Sequence, residues 1–393
     1  MSKTKSFLDL GLADTTPHPL YIEVESASGV WINTKGGNRL FDAISGIGVS
    51  SFGHCNKEIT DRLHAQVDSN LHTMVYGEFV TTSSVEAAFL LTSILPSTLN
   101  TTYFTNSGAE AIEGALKLAK KSTGRSSIIA CNGGYHGNTT GALSVSSNEE
   151  RKSPFKPLLP DVSFIDFNCL ESLSKIDVKT ACVVVETIQG DAGVRIPSSE
   201  WMKALRNKCN DAGALLILDE VQCGVGRTGK SFAFEHFQIV PDILCLGKAL
   251  GGGVPIGAFI SSRQLMSQLS NSPKLGHITT FGGHPLATTG AVGALNLLKR
   301  VDYEKVEQQG AMWERKLLAH NSVKVVRRKG LFFCVELESE SDATQTIQNG
   351  LENGVLLFWF LSLPNAFRLS PPLNMTDHEA NEGIELILKS LPL

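Results

Sequence analysis

The sequence lacks the features that direct a protein to nucleic acid, to a membrane or to secretion. Its 393 residues carry 35 Lys+Arg against 39 Asp+Glu, and the formal net charge of -4 provides no basic surplus for binding a phosphate backbone. The uncharged apolar run at residues 249–260 contains three consecutive glycines and is too short for a membrane helix, which needs about 20 residues. The first residues include no apolar segment typical of a secretory signal. We therefore expect a cytoplasmic protein.

The eight cysteines include no C-x-x-C pair, and no repeat or low-complexity tract is present. We interpret the cysteines as small core residues or loop thiols and predict no metal site. Hydrophobic residues make up 42% of the chain and charged residues 19%, which is typical of a globular protein with a large core. A chain of 393 residues is longer than most single domains, so we expect two lobes.

Short apolar segments alternate with helix-length segments through the middle of the chain. The predicted strands lie at residues 102–104, 128–131, 162–165, 181–185, 215–218, 243–246 and 257–260. Because these strands are apolar on both faces, the pattern favours an α/β domain with a mostly parallel sheet covered on both sides by helices.

The flanking segments differ from this core in their pattern. Residues 30–32 and 39–42 read as a hairpin, and residues 323–326, 331–337, 355–361 and 366–369 read as strands of an α+β unit. A capping box from Thr376 to Glu379 predicts a last helix. We therefore divide the chain into residues 1–50, the N-terminal part of a small domain; 51–285, a large ligand-binding domain; and 286–393, the C-terminal small domain.

The helix after the strand at 102–104 begins in a pattern suited to an anion. Ser107 and Glu110 have the spacing of a capping box, and Gly108 and Ala109 are small enough to let an anion approach the first-turn N–H groups. The same pattern also fits a helix that is simply well capped. We interpret it as a candidate phosphate site.

Two ionisable residues stand at the ends of buried strands. Asp219 ends the strand predicted at 215–218, and ligands of open α/β sheets bind outside the carboxyl ends of the strands. Lys248 closely follows the strand at 243–246, where desolvation would lower its pKa and make its amine nucleophilic. The alternatives are an acid that caps the following segment and a lysine that extends to solvent.

Residues 224–229, GVGRTG, match the dinucleotide-binding fingerprint letter for letter. Five residues separate this motif from the preceding strand, however, and no clean amphipathic helix follows it. We expect a glycine-rich surface loop there, with nicotinamide binding as the minor alternative.

Together, the helix end, Asp219 and Lys248 match the requirements of pyridoxal phosphate. The helix would hold the phosphate, Asp219 would keep the pyridine nitrogen protonated, and Lys248 would form a Schiff base with the cofactor aldehyde. The sequence therefore predicts this cofactor, with Lys248 and Asp219 as the catalytic residues.

Over nearly its whole length the chain resembles the class III, ω-amino acid type, pyridoxal-phosphate aminotransferases, the group of the ornithine, acetylornithine and 4-aminobutyrate enzymes. The resemblance rests on TNSGAEA at 105–111, YHG at 135–137, ETIQGD at 186–191, LDEVQCGVGRTG at 218–229, TTFGGHP at 279–285 and RLSPPL at 368–373. It implies fold type I, in which a large α/β domain with a mostly parallel sheet is joined by a smaller α+β domain.

The resemblance also implies a set of cofactor contacts. Tyr135 would stack on the ring, Gln222 would lie near the ring hydroxyl, and Thr280 would reach the phosphate of the other subunit, which implies a homodimer. The full implied set is Ser107, Gly108, Ala109, Tyr135, His136, Glu186, Asp219, Gln222, Lys248 and Thr280.

On the substrate side, the resemblance implies that Arg368 holds a substrate carboxylate and that Asp191 pairs with this arginine as a gate. Thr279 is a further expected substrate contact. Asn138 stands where many relatives carry an arginine for a second carboxylate, and Ile47 stands where some ornithine enzymes carry tyrosine.

The expected activity is transfer of an amino group from ornithine or an N-acylornithine to 2-oxoglutarate by a ping-pong mechanism. The alternatives within the family are a 4-aminobutyrate or lysine-type aminotransferase, an aminomutase and a decarboxylating transaminase.

Overall fold

The computed structural model describes residues 10–16 and 19–392. Residues 1–9 and 17–18, which belong to the predicted N-terminal segment 1–50, and residue 393 lie outside the described part. Across the described residues, no helix combines the length and the apolar character needed to cross a membrane.

The strands are β1 (Val24–Ser28), β2 (Trp31–Thr34), β3 (Arg39–Asp42), β4 (Thr101–Thr105), β5 (Ser127–Cys131), β6 (Val162–Ile165), β7 (Thr180–Glu186), β8 (Leu215–Asp219), β9 (Ile243–Gly247), β10 (Gly257–Ser261), β11 (Val325–Lys329), β12 (Phe332–Glu336), β13 (Val355–Leu356), β14 (Phe358–Trp359) and β15 (Ala366–Leu369). The α-helices are α1 (Ser45–Gly48), α2 (Lys57–Ser69), α3 (Thr82–Ser93), α4 (Gly108–Thr123), α5 (Thr140–Val145), α6 (Glu149–Lys152), α7 (Ser199–Ala212), α8 (Arg263–Met266), α9 (Pro285–Leu298), α10 (Tyr303–Leu318), α11 (Glu340–Asn353) and α12 (Asp377–Ser390).

The central sheet has seven strands in the order β4-β10-β9-β8-β7-β5-β6. The pairs among β9, β8, β7, β5 and β6 are parallel, whereas β10 runs antiparallel to both of its neighbours. Every residue of β7 and of β9 is buried, as expected for strands with apolar side chains on both faces. The mostly parallel α/β sheet is therefore confirmed, and the carboxyl ends of β7, β8 and β9 lie side by side.

Two smaller sheets flank the central one. The predicted hairpin appears as β2 and β3, and the C-terminal strand β13 pairs in parallel with β3, so the two ends of the chain share one sheet. The other small sheet has the order β11-β12-β15-β14.

The prediction of one strand at 355–361 is wrong. The segment divides at Leu357 into β13, which pairs with β3, and β14, which pairs with β15 in a different sheet. The uninterrupted apolar pattern of 355–361 could not reveal the division, because a bend between two sheets leaves apolar residues on both sides of it. The last helix begins as predicted, with the capping box of Thr376 and Glu379.

The prediction of a surface loop at GVGRTG is also wrong, because this loop is buried. Arg227 is 1% exposed and donates hydrogen bonds to the carbonyl oxygens of Leu331 and Pro371 and to Oγ of Ser51. The glycines let the backbone turn sharply at this position; Gly226, for example, has φ +86°. The loop therefore joins the central sheet to the C-terminal part of the chain.

Candidate active site

A cavity of about 520 Å³ opens at the carboxyl ends of the central strands. Nine of the residues singled out in the sequence line it: Gly108, Ala109, Tyr135, His136, Asn138, Glu186, Asp219, Gln222 and Lys248. They come from five separate segments of the chain. The strand order brings these segments together, because β7, β8 and β9 are neighbours and all end at the same edge.

Lys248 follows β9 directly and has a left-handed backbone conformation with φ +45°. This conformation is unfavourable for a residue with a side chain, and such strain is concentrated at functional positions. Burial lowers the pKa of the Lys248 amine, while the Asp219 carboxylate opposes this shift and Arg368 adds to it. The amine is therefore closer to its neutral, nucleophilic form than an exposed lysine would be.

The Asp219 carboxylate is held on both of its oxygens. Oδ1 accepts a hydrogen bond from the backbone N–H of Val221 at 2.9 Å, and Oδ2 lies 2.7 Å from Nδ1 of His136. Burial disfavours the charged imidazole, but the hydrogen bond and the charge of Asp219 outweigh it and raise the pKa of His136. The pair thus places an oriented negative charge in the cavity wall.

Glu186 organises the neighbouring loops. Its carboxylate accepts hydrogen bonds from the backbone N–H groups of Tyr135 at 3.0 Å and Gly190 at 2.9 Å. Burial raises the pKa of Glu186 to about 7; the charge of Asp219 also raises it, and His136 and the two hydrogen bonds lower it. Glu186 therefore fixes the position of Tyr135 at the cavity.

The N-terminus of α4 has the predicted cap, with one difference. Oγ of Ser107 accepts a hydrogen bond from the N–H of Glu110 at 3.2 Å, but the Glu110 carboxylate reaches back to the N–H of Asn106 and not to that of Ser107. Gly108 and Ala109 line the cavity, whereas Ser107 is outside its lining. A Cβ on Gly108 would lie 2.7 Å from Cγ1 of Val221, so glycine keeps the start of this helix open.

The chemistry of the wall fits pyridoxal phosphate. Nε2 of His136 and Nε2 of Gln222 are buried and have no hydrogen-bond partner among the residues that the structure describes. Buried polar atoms are normally satisfied, so these two atoms indicate a polar ligand. A carboxylate, an amine of lowered pKa and a glycine-rich helix N-terminus complete a donor set suited to a pyridinium ring, an aldehyde and a phosphate.

Arg368 and Asp191 lie outside the cavity lining and face each other. Nη2 of Arg368 is 3.0 Å from Oδ1 of Asp191, and both side chains are 6% exposed. Burial lowers the pKa of Arg368, and the Asp191 carboxylate opposes that shift. The pair is nevertheless near the cavity, because Gly190, the residue before Asp191, donates its N–H to the Glu186 carboxylate in the cavity wall.

Thr279 and Thr280 are also outside this cavity. Oγ1 of Thr279 accepts a hydrogen bond from the N–H of Gly282 at 2.6 Å, and Thr280 lines a separate cavity with Tyr76 and His284. Ile47 has φ +64° and does not line the cavity around Lys248. The fold of one chain therefore leaves both threonines away from its own Lys248.

The sequence reasoning missed Val221, which lies between Asp219 and Gln222. Its side chain packs against Gly108 and Gly247 and lines the cavity, so it forms an apolar part of the wall. An apolar residue between two polar ones at a strand end could have drawn attention to Val221. The direction of its side chain, however, depends on the turn after β8.

Comparison with known proteins agrees with this geometry. The family model described as aminotransferase class-III matches residues 12–391. An acetylornithine aminotransferase from Archaeoglobus fulgidus is 37% identical over 369 residues, which cover 93% of this chain and 95% of that protein. One from Methanopyrus kandleri is 41% identical over 312 residues, or 78% of each chain. The solved structure of an ornithine aminotransferase from Toxoplasma gondii matches with a TM-score of 0.90 and 30% identity, covering 98% of this chain and 93% of the other.

Proposed function

Because the chain belongs to the class III aminotransferases, we propose that it transfers an amino group from an ω-amino donor, ornithine or an N-acylornithine, to 2-oxoglutarate by a ping-pong mechanism. The enzyme is an aminotransferase, and its cofactor is pyridoxal phosphate. The observation that carries the proposal is that Lys248 and Asp219, from the ends of two adjacent strands, line one cavity.

The residues of the chain would have two kinds of role: one group would stabilise charge on the cofactor, and the other would transfer a proton. When bound, pyridoxal phosphate supplies an aldehyde that condenses with amines and a ring that delocalises the electrons of a broken C–H bond. Lys248 would bind the cofactor covalently through its amine and, once released, carry the proton at the reacting carbon. Asp219, oriented by His136, would keep a proton on the ring nitrogen.

The remaining contacts would fix the position of the ring. Tyr135, anchored by Glu186, would cover one face, and Gln222 would donate from its unpaired Nε2. The N–H groups at Gly108 and Ala109 would bind the phosphate, where the helix dipole favours negative charge.

The proposed amino donor is inferred from the relatives and from the residues expected to contact the substrate. The relatives named above are acetylornithine and ornithine aminotransferases, which supports donors of this kind. Arg368 would bind a substrate carboxylate when it leaves Asp191. Asn138 lines the cavity without a positive charge, so the second carboxylate of a substrate would be held less tightly at this position. A 4-aminobutyrate or lysine-type donor, or an aminomutase reaction, would use the same cofactor site.

We also propose a homodimer whose two active sites are completed by the partner subunit. Large apolar side chains from two segments are exposed: Val67, Leu71, Met74, Phe79, Val80, Val85, Phe89, Leu275, Ile278 and Phe281. Several of them surround the cavity that contains Thr280. Exposed apolar side chains grouped around one cavity in this way are typical of an interface between copies. Such a dimer would cover the patch and bring Thr280 towards the partner's cofactor.

The proposal is tested by recording the visible spectrum of the purified protein before and after addition of L-ornithine or N-acetylornithine, without an oxoacid. We expect an absorption band of the bound cofactor that bleaches with one of the two donors and returns with 2-oxoglutarate. A band that persists would reject both donors, and no band after adding pyridoxal phosphate would overturn the cofactor site. Release of CO₂, or an isomerised product without an oxoacid, would favour the other reactions of the family.

The Lys248→Ala variant separates chemistry from folding. We expect no detectable turnover, with an unchanged far-ultraviolet circular dichroism spectrum, because Lys248 provides the one amine that lines the cavity among residues 10–16 and 19–392. Lys230→Ala is the matched control, since the Lys230 amine donates to the carbonyl of Glu235 outside the cavity. Near-normal turnover in the Lys248 variant would contradict the assignment.

A further inference from the structure

Four consecutive residues, Trp359 to Ser362, contact both members of the Asp191–Arg368 pair; we call them the frame segment. We propose that the frame segment is a specificity-determining element, in which Ser362 is a positioning residue for Asp191. In this role it keeps Asp191 in place when Arg368 turns from Asp191 to a substrate carboxylate. The inference rests on the proposed function, because it takes Arg368 as the substrate's carboxylate-binding group.

The contacts to the acid come from the second half of the frame segment. The N–H of Leu361 donates to Oδ1 of Asp191 at 3.0 Å, and the hydroxyl of Ser362 donates to Oδ2 at 2.8 Å. Asp191 thus has two donors that do not depend on Arg368.

The contacts to the arginine come from the first half. Nε of Arg368 donates to the carbonyl oxygen of Trp359 at 3.0 Å, and the guanidinium carbon lies 4.6 Å from the centre of the Phe360 ring. A cation over an aromatic face is attracted to it, most strongly where water is excluded. These contacts leave the Nη2 donor, which now bonds to Asp191, as the part of Arg368 that can change partner.

The loop that carries Asp191 is packed against the residue that follows the frame segment. Gly193 has φ +91°, and a Cβ there would lie 2.5 Å from Cδ2 of Leu363. The N–H of Gly193 donates to the carbonyl of Gly190, and its own carbonyl accepts from Nε of Arg327. The acid is therefore held from both sides, which suits a fixed counter-charge better than a swinging one.

This arrangement gives two charge-balanced states. A donor that places no carboxylate beside its reacting amine leaves Arg368 paired with Asp191. An oxoacid places a carboxylate beside its reacting carbon, so Arg368 binds it and Asp191 keeps Leu361 and Ser362 as partners. Loss of the Ser362 hydroxyl weakens the second state more, because Asp191 then retains one donor in place of two.

The experiment measures binding of glutarate, an unreactive dicarboxylate, to the cofactor-loaded enzyme by isothermal titration calorimetry. Ser362→Ala is compared with Ser362→Thr, which restores a hydroxyl, and with the wild type. Ser126→Ala is the matched control, because the Ser126 hydroxyl contacts the Asp161 carboxylate at 2.9 Å on the exposed surface. We expect Ser362→Ala to bind glutarate about tenfold more weakly, which corresponds to about 1.4 kcal/mol, with Ser362→Thr and Ser126→Ala close to the wild type.

A double-mutant cycle tests whether Ser362 influences glutarate binding through Asp191. In an Asp191→Asn background, Ser362→Ala should leave glutarate affinity unchanged, since the neutral amide no longer competes for Arg368. In steady-state assays Ser362→Ala should raise KM for 2-oxoglutarate and leave KM for the ω-amino donor unchanged.

Equal glutarate affinity in the wild type and Ser362→Ala would overturn the frame proposal, as would a wild type that does not bind glutarate. Neither outcome touches the aminotransferase reaction. A failed donor reaction would overturn the donor assignment instead, and the glutarate titration does not depend on it.

Discussion

At the residue scale, the carboxylate of Asp219 shows how neighbours define a role. Its two oxygens are held by the N–H of Val221 and by the imidazole of His136, so the carboxylate cannot rotate away from the cavity. The backbone of His136 is also held in place, because its N–H donates to Oγ of Ser146 at 2.9 Å. A charge fixed in this way needs no reorganisation when a positive charge develops beside it.

Asp219→Asn should lower the rate of the donor half-reaction by about 10²–10³-fold while part of the cofactor remains bound. The amide keeps the shape of the side chain but cannot stabilise a positive charge. Stopped-flow measurement of cofactor bleaching gives the rate. Asp61→Asn, at a surface ion pair with Lys57, is the control that should keep the wild-type rate. An unchanged rate in Asp219→Asn would remove this residue from its role.

At the scale of elements, the start of α4 depends on close packing against the sheet. A Cβ on Gly257, the first residue of β10, would collide with the carbonyl of Ser107, which is the N-cap of α4. Gly257 and Gly108 therefore fix the height at which the helix N-terminus meets the cavity.

Gly257→Ala should lower the free energy of unfolding by about 1–3 kcal/mol, as overpacking of a tight core does, and should also weaken cofactor binding. The added methyl group must displace Ser107 and with it the proposed phosphate site. Urea unfolding and an absorbance titration with pyridoxal phosphate measure the two effects. Gly36→Ala is the control, because the nearest atom to its added Cβ is 3.8 Å away. Unaltered cofactor affinity in Gly257→Ala would show that the packing at Gly257 does not position the proposed phosphate site.

A second element-scale feature is the buried carboxyl of Glu220, beyond the end of β8. It accepts hydrogen bonds from Thr187, Ala233 and Phe234, which join three loops. Burial raises the pKa of Glu220 to about 7, although these hydrogen bonds lower it.

A carboxyl whose pKa is raised on folding gives stability that is complete below its unfolded pKa of 4.5 and is lost as pH rises to about 7. Glu220→Gln does not titrate. The wild type should therefore lose about 3 kcal/mol of unfolding free energy relative to Glu220→Gln between pH 4.5 and 7.5, on top of a constant offset. Urea unfolding of both proteins at several pH values measures the difference. A difference that is independent of pH would contradict the raised pKa.

At the scale of the whole molecule, the exposed apolar patch and the position of Thr280 both support the proposed homodimer. Val80 is 84% exposed and Phe89 is 69% exposed, although α3, which contains Phe89, buries Ala87 and Leu91. Thr280 lies among residues of this patch and not at Lys248.

Val80→Asp should convert the proposed dimer to a monomer and weaken cofactor binding together, because a charge buried in an apolar interface is costly. Sedimentation velocity gives the mass, and the visible band gives cofactor content. Val178→Asp is the control, since Val178 is 70% exposed and lies outside the patch. A Val80→Asp protein that stays dimeric would exclude this patch as the interface, and a monomeric wild type would exclude the dimer.

The sequence by itself determined the strands of the central sheet, because buried parallel strands need uninterrupted apolar segments such as 181–185. It also pointed to Asp219 and Lys248, since a polar residue directly after such a strand stands at the edge where ligands bind. The tertiary structure decided what depends on contacts between distant segments. Three such features are the division of 355–361 between two sheets, the burial of Arg227 and the hydrogen bond from His136 to Asp219. Likewise, only the fold brought residues 361 and 362 into contact with Asp191, because hydrogen bonds between residues far apart in the chain leave no spacing in the sequence.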